Sequence, residues 1–212
     1  MKLAIALLCA TFSATATDLR ITIYNQAGLK PDIVDAASDF LKRIFRQSGI
    51  DVQLRLGDPN SEEGHLFTYP NPPRPGQENQ ASCHARRDVA LEIRDVPAHG
   101  VRSSILGIAQ PLARKGLNTM VFSGRIQHAA LRANRAFEAV LAHAIAHEIG
   151  HVMLRSSVHA KGGLMSSHWG DSEYGRLANG GLLFNRDESR KILSTLRGDG
   201  CFSVSSIPVE TP

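Results

Sequence analysis

His147-Glu148-Ile149-Gly150-His151 lies within an alanine-rich run free of Lys and Arg, from Ala139 to Met153. A stretch of this kind is helical, and two imidazoles four residues apart on a helix point the same way. Such a pair can share one zinc ion, and a Glu beside the first His can serve as base toward a water at that metal. Leu141, Ile145, Ile149 and Val152 fall three and four apart and read as a core-facing stripe. The His147 and His151 row falls outside that stripe. Ala142, Ala146 and Gly150 flank the row with small side chains. Gly150 costs the helix roughly 0.5–1 kcal/mol relative to Ala, which suggests that another part of the chain packs closely there.

His143 extends the row one turn earlier. Three His at successive four-residue steps spread over roughly 12 Å of helix, too far for one ion. His143 therefore reads as a supporting or surface residue. A catalytic zinc needs a third protein ligand and an open position. The downstream candidates are His159, His168, Asp171, Glu173 and Glu188. His159 is the best placed, because eight residues after His151 let the chain turn and come back; His168, beside Trp169, is second.

Outward from this helix the chain shows alternating and helical patterns. Leu19, Ile21 and Ile23 alternate as a strand, Pro31 to about Ser48 reads as a helix with a stripe of Ile33, Ala37, Phe40 and Ile44, and Val52, Leu54 and Leu56 alternate again. Strand, helix, strand suggests a parallel pair with a right-handed crossover. Val89, Leu91 and Ile93 form a third strand, Ile105 to Gln110 a short edge strand before Pro111, and Met120 to Phe122 another. The helix carrying the His pair is expected from about Ala130 to Arg155. Asn185 can cap a last helix with Glu188 at the N3 position, and Gly198 ends it. Five prolines between Pro59 and Pro75 mark residues 57–87 as an irregular insert.

The chain has 212 residues and a formal charge of +4. Lys2, the apolar run Leu3 to Phe12 and Ala14-Thr15-Ala16 read as a signal peptide over residues 1–16, with an extracytoplasmic product, secreted or periplasmic. Its loss leaves 196 residues and a charge of +3, enough for one domain. That domain divides into residues 17–155, ending in the active helix, and a smaller part, 156–212. The basic residues are scattered, which gives nucleic-acid binding no support, and no later segment suits a membrane span. A monomer is expected. Cys83 and Cys201 remain after cleavage, either bridged or as free thiols.

His147-Glu148-Ile149-Gly150-His151, His159 and Gly163-Leu164-Met165 together resemble the metzincin clan of zinc metallopeptidases, most closely small secreted bacterial members. The likeness is specific between about 140 and 170. Leu154 and Ser157 stand where the clan pattern has a Gly and the third His, so His159 comes two residues late. The resemblance implies an α+β, zincin-like fold: a mixed twisted sheet packed on two long helices, with the motif on the second. It implies Zn²⁺ on His147, His151 and His159, Glu148 as general base, and Met165 in a turn beneath the metal. It further implies a protein or peptide substrate along the edge strand Ile105 to Gln110. Tyr174 is a minor candidate to assist the oxyanion. Other readings of the motif are a non-catalytic binding protein on a degenerate scaffold and a zinc amidase acting on cell-wall links.

Overall fold

The computed structural model describes residues 18–61, 87–97, 100–111 and 119–198. The expected signal peptide, Cys83, Cys201 and most of the proline-rich insert lie outside them. Along the chain run β1 (Asp18–Asn25), α1 (Pro31–Arg46), β2 (Asp51–Leu56), β3 (Asp88–Arg94), β4 (Gly107–Ala109) and β5 (Thr119–Phe122). Four helices follow, α2 (Ser123–Ala133), α3 (Phe137–Leu154), α4 (Asp171–Ala178) and α5 (Arg186–Arg197).

The strands form one sheet in the order β2-β1-β3-β5-β4. β1 pairs in parallel with β2 and β3, and β3 with β5, whereas β4 is antiparallel to β5. The sheet is mixed, as expected, and β4 is the edge strand read from Ile105 to Gln110. Alternation sends Leu19, Ile21, Ile23, Val89, Leu91, Ile93 and Val121 to one face, where they meet α1 and α3 in the main core. Tyr24, Met120 and Phe122 form a smaller apolar cluster with Ile105 and Ile108. Leu164, Met165, Leu182, Phe184, Ile192 and Leu196, from the chain after α3, join the main core.

Three expectations are corrected. The buried side of α1 is Val34, Ala37, Leu41, Ile44 and Phe45, so Ile33 and Phe40 flank it. Phe40 is half-buried at the margin of the core, with the Arg43 guanidinium 4.3 Å from its ring centre. Both stripes are apolar, and packing between the sheet and α3 selects one. The single helix expected from Ala130 is two helices. Asn134 adopts φ 52° and closes α2, with Asn134 N–H donating to Leu131 O and Arg135 N–H to Ala130 O at 3.0 Å. That is the left-handed close that Asn tolerates best after Gly. Finally, α3 is not striped. Every residue from Ala139 to Met153 is buried, because α1, α2, α5, β5 and β4 surround it. A helix apolar nearly all round belongs at a domain centre, and its polar side chains there need partners.

The capping box of α5 forms as read. Asn185 Oδ1 accepts from Asp187 N–H and Glu188 N–H, while the Glu188 carboxylate accepts from Asn185 N–H at 2.7 Å, and Gly198 closes the helix at φ 80°.

Candidate metal centre

His147 and His151 sit on α3 at 9% and 5% exposure. The Leu164 carbonyl lies 2.7 Å from His147 Nδ1, and the Ser156 carbonyl 2.7 Å from His151 Nδ1. A carbonyl only accepts, so each Nδ1 carries the proton and each Nε2 presents a lone pair. Those two Nε2 atoms are 3.1 Å apart, and His159 Nε2 is 3.2 Å from that of His151. One nitrogen from each ring lies within 4.8 Å of the other two.

Two lone pairs at 3.1 Å repel unless something positive lies between them. A proton is opposed by burial, which pushes His147 down to about 4, an effect that the neighbouring His151 and His159 reinforce. His151 is lowered as well, again chiefly by burial. A tetrahedral metal with bonds of ~2.0–2.1 Å holds ligand nitrogens about 3.3–3.4 Å apart, close to the spacing seen. The three imidazoles thus fit a divalent cation, and zinc suits an all-nitrogen set.

Local backbone explains why these rings converge. α3 stops at Leu154 because Arg155 takes a left-handed conformation, φ 51°, at the position after it. Ser156 N–H donates to His151 O at 3.2 Å and Arg155 N–H to Val152 O at 3.3 Å, a Schellman close built without Gly. The turn brings Ser156 O under His151, and three residues after Ser156 the His159 ring faces the pair. The chain then turns at Gly163, φ 86°, and Ala160 N–H donates to Met165 O at 2.8 Å. This turn supplies Leu164 O to His147 and puts Met165, 1% exposed, against Gly150 of α3.

Glu148 is 7% exposed, and burial alone raises it to about 8. It faces the edge strand. A Cβ at Gly107 would lie 2.6 Å from Glu148 Cγ and 2.8 Å from its Oε1.

The other sequence candidates lie outside this cluster. His143 is 2% exposed, a correction to its reading as a possible surface residue. It donates from Nδ1 to Ala139 O at 2.6 Å, and burial lowers its pKa. His168 is exposed and lies outside the His cluster. Glu173 accepts from Gly170 N–H and pairs with Arg176, Glu188 caps α5, and Asp171 is an exposed residue in the first turn of α4. Tyr174 packs edge-on against Trp169, with ring centres 6.3 Å apart.

Two contributors escape sequence reading. Trp169 Nε1–H donates to Leu164 O at 3.2 Å, the same carbonyl that serves His147, and its ring stands edge-on to His147 at 5.9 Å. The sequence offers only an aromatic beside His168. Gly107 had a better signal, since a Gly inside a strand often marks a close approach.

No protein-family model matches this sequence, and no curated protein does. Among solved structures the chain is similar to the archaemetzincin of Methanopyrus kandleri, with a TM-score of 0.55 and 14% sequence identity. The match covers 87% of this chain and 99% of that one. At that identity the likeness is one of fold, and it supports the zincin-like arrangement of a mixed sheet and helices.

Proposed function

We propose that this protein is a zinc-dependent peptidase in which His147, His151 and His159 hold the metal and Glu148 is the general base. The observation that carries this reading is the convergence of three imidazoles, two of them held with the Nε2 lone pair facing the cluster, beside the buried carboxyl group of Glu148. The fold likeness to an archaemetzincin agrees with it.

When bound, zinc supplies Lewis acidity toward water and a carbonyl oxygen, and a positive charge that favours the ionised form of Glu148. The protein's own work is positional. Leu164 O and Ser156 O fix two imidazoles as neutral, Nε2-facing donors. Glu148 accepts a proton from the attacking water and returns it to the leaving amine nitrogen. β4, last in the sheet, offers its edge to an extended peptide that adds as a further strand. The substrate is a protein or peptide, met outside the cytoplasm after loss of residues 1–16. Among the described residues no helix is long and apolar enough to cross a membrane.

The test compares wild type with Glu148→Ala. The variant is expected to keep stoichiometric zinc by elemental analysis and to lose cleavage of a mixed protein substrate. Equal cleavage by both proteins rejects the assignment.

A further inference from the structure

Gly107 does not have a glycine's backbone. It is the first residue of β4, paired with Val121, and it is absent from the glycines of positive φ. Any residue could adopt its conformation, so its lack of a side chain answers to space. The space belongs to two neighbours. A Cβ at position 107 would lie 2.6 Å from Glu148 Cγ, 2.8 Å from Glu148 Oε1 and 2.8 Å from Met120 O. Real Cβ atoms essentially never come within 3.0 Å of such atoms. Glu148 cannot give way easily, because it is buried on a helix enclosed on all sides.

β4 cannot give way easily either. Its pairing with β5 runs Gly107↔Val121, Ile108↔Met120 and Ala109↔Thr119. The segment leading into it is gripped by Arg125 of α2, whose guanidinium donates to Val101 O at 2.9 Å, Arg102 O at 2.5 Å and Ile105 O at 2.7 Å. The Arg125 guanidinium also lies 5.3 Å from the Phe122 ring centre. The strand and the helix are each fixed independently, and the carboxyl group occupies the gap between them.

We propose that Gly107 is a positioning residue for Glu148: the missing side chain on the edge strand is the slot that sets where the carboxyl group stands. This rests on the reading of Glu148 as the base, but the slot itself can be tested without activity.

The test is a double-substitution cycle read by thermal unfolding of the metal-free protein, with Gly107→Ala made in wild type and in Glu148→Ala. If the slot serves Glu148, Gly107→Ala lowers Tm by about 4–8 °C in wild type, as overpacking of a core does. In the Glu148→Ala background, where the crowding atoms are gone, it costs less than half as much. An equal loss in both backgrounds overturns the proposal and assigns the glycine to the Met120 carbonyl. Should Gly107→Ala fail to fold alone, folding of the double variant supports the slot, and failure of both rejects it.

A second readout separates positioning from general damage. Gly107→Ala is expected to bind Zn²⁺ as tightly as wild type in competition with a chromophoric chelator. Its kcat on a peptide substrate should fall at least ~10-fold with KM little changed, as for loss of an interaction made in the transition state. Weakened zinc binding, or an unchanged kcat, counts against it.

Discussion

Gly150 lies directly against Met165: a Cβ at position 150 would come within 2.5 Å of the Met165 sulfur and 2.8 Å of Phe184 Cε1. The helix that carries His147 and His151 is thus seated on the turn that supplies the His147 acceptor. Helix propensity alone would make Gly150→Ala stabilising by about 1 kcal/mol. Packing should outweigh it. The variant is expected to be less stable than wild type by about 1–3 kcal/mol in denaturant unfolding. In a Met165→Ala background the same change should cost less. A net gain in stability from Gly150→Ala would mean that the contact with Met165 yields freely.

The metal-free protein should be most stable at mildly acid pH. His147 titrates near 4 in the fold, against 6.5 for an ordinary imidazole, so falling pH favours unfolding across that window. The loss is on the order of 3 kcal/mol, and the lowered His151 and His143 act in the same direction. Glu148 titrates near 8, against 4.5, so rising pH favours unfolding between those values. Tm measured from pH 4 to 8 after dialysis against a chelator should pass through a maximum between the two arms. Glu148→Ala should abolish the alkaline arm and keep the acid one. An alkaline arm unchanged in that variant would assign it to another group.

Arg155 sits at φ 51° where a glycine would be at ease. A left-handed non-glycine residue costs about 1–2 kcal/mol, and glycine gives back part of that through the entropy of the unfolded chain. Arg155→Gly is expected to raise stability by about 0.5–1 kcal/mol with zinc affinity unchanged. A loss of stability would show that the Arg155 side chain contributes packing worth more than the strain.

Much of this architecture follows from local rules and was legible for that reason. Alternation marked Leu19 to Ile23 and Val89 to Ile93, and Asn185 with Glu188 marked the start of α5. The spacing of His147 and His151, with small residues around them, marked the site. What escaped depends on contacts between distant segments. No periodicity separates the two apolar stripes of α1, and the choice of Val34 and Leu41 over Ile33 and Phe40 belongs to the neighbouring elements. The burial of α3 on every side, which takes His143 with it, comes from elements on both sides of it in the chain. The acceptors that orient the imidazoles are the backbone carbonyls of Leu164 and Ser156, and carbonyls carry no sequence signature. The break at Asn134 had a signal, since Asn is a known helix stop, but apolar residues continuing on both sides obscured it.

The central claim is that three imidazoles hold one divalent cation, and X-ray absorption at the zinc edge tests it most directly. Zinc-loaded protein is expected to show an all-nitrogen and oxygen shell at about 2.0–2.1 Å, with outer scattering from three imidazoles. His159→Ala should reduce that to two and weaken zinc binding by more than ~100-fold, while His168→Ala leaves both unchanged. Sulfur in the shell, two imidazoles in wild type, or loss of one on His168→Ala in place of His159→Ala would contradict the account.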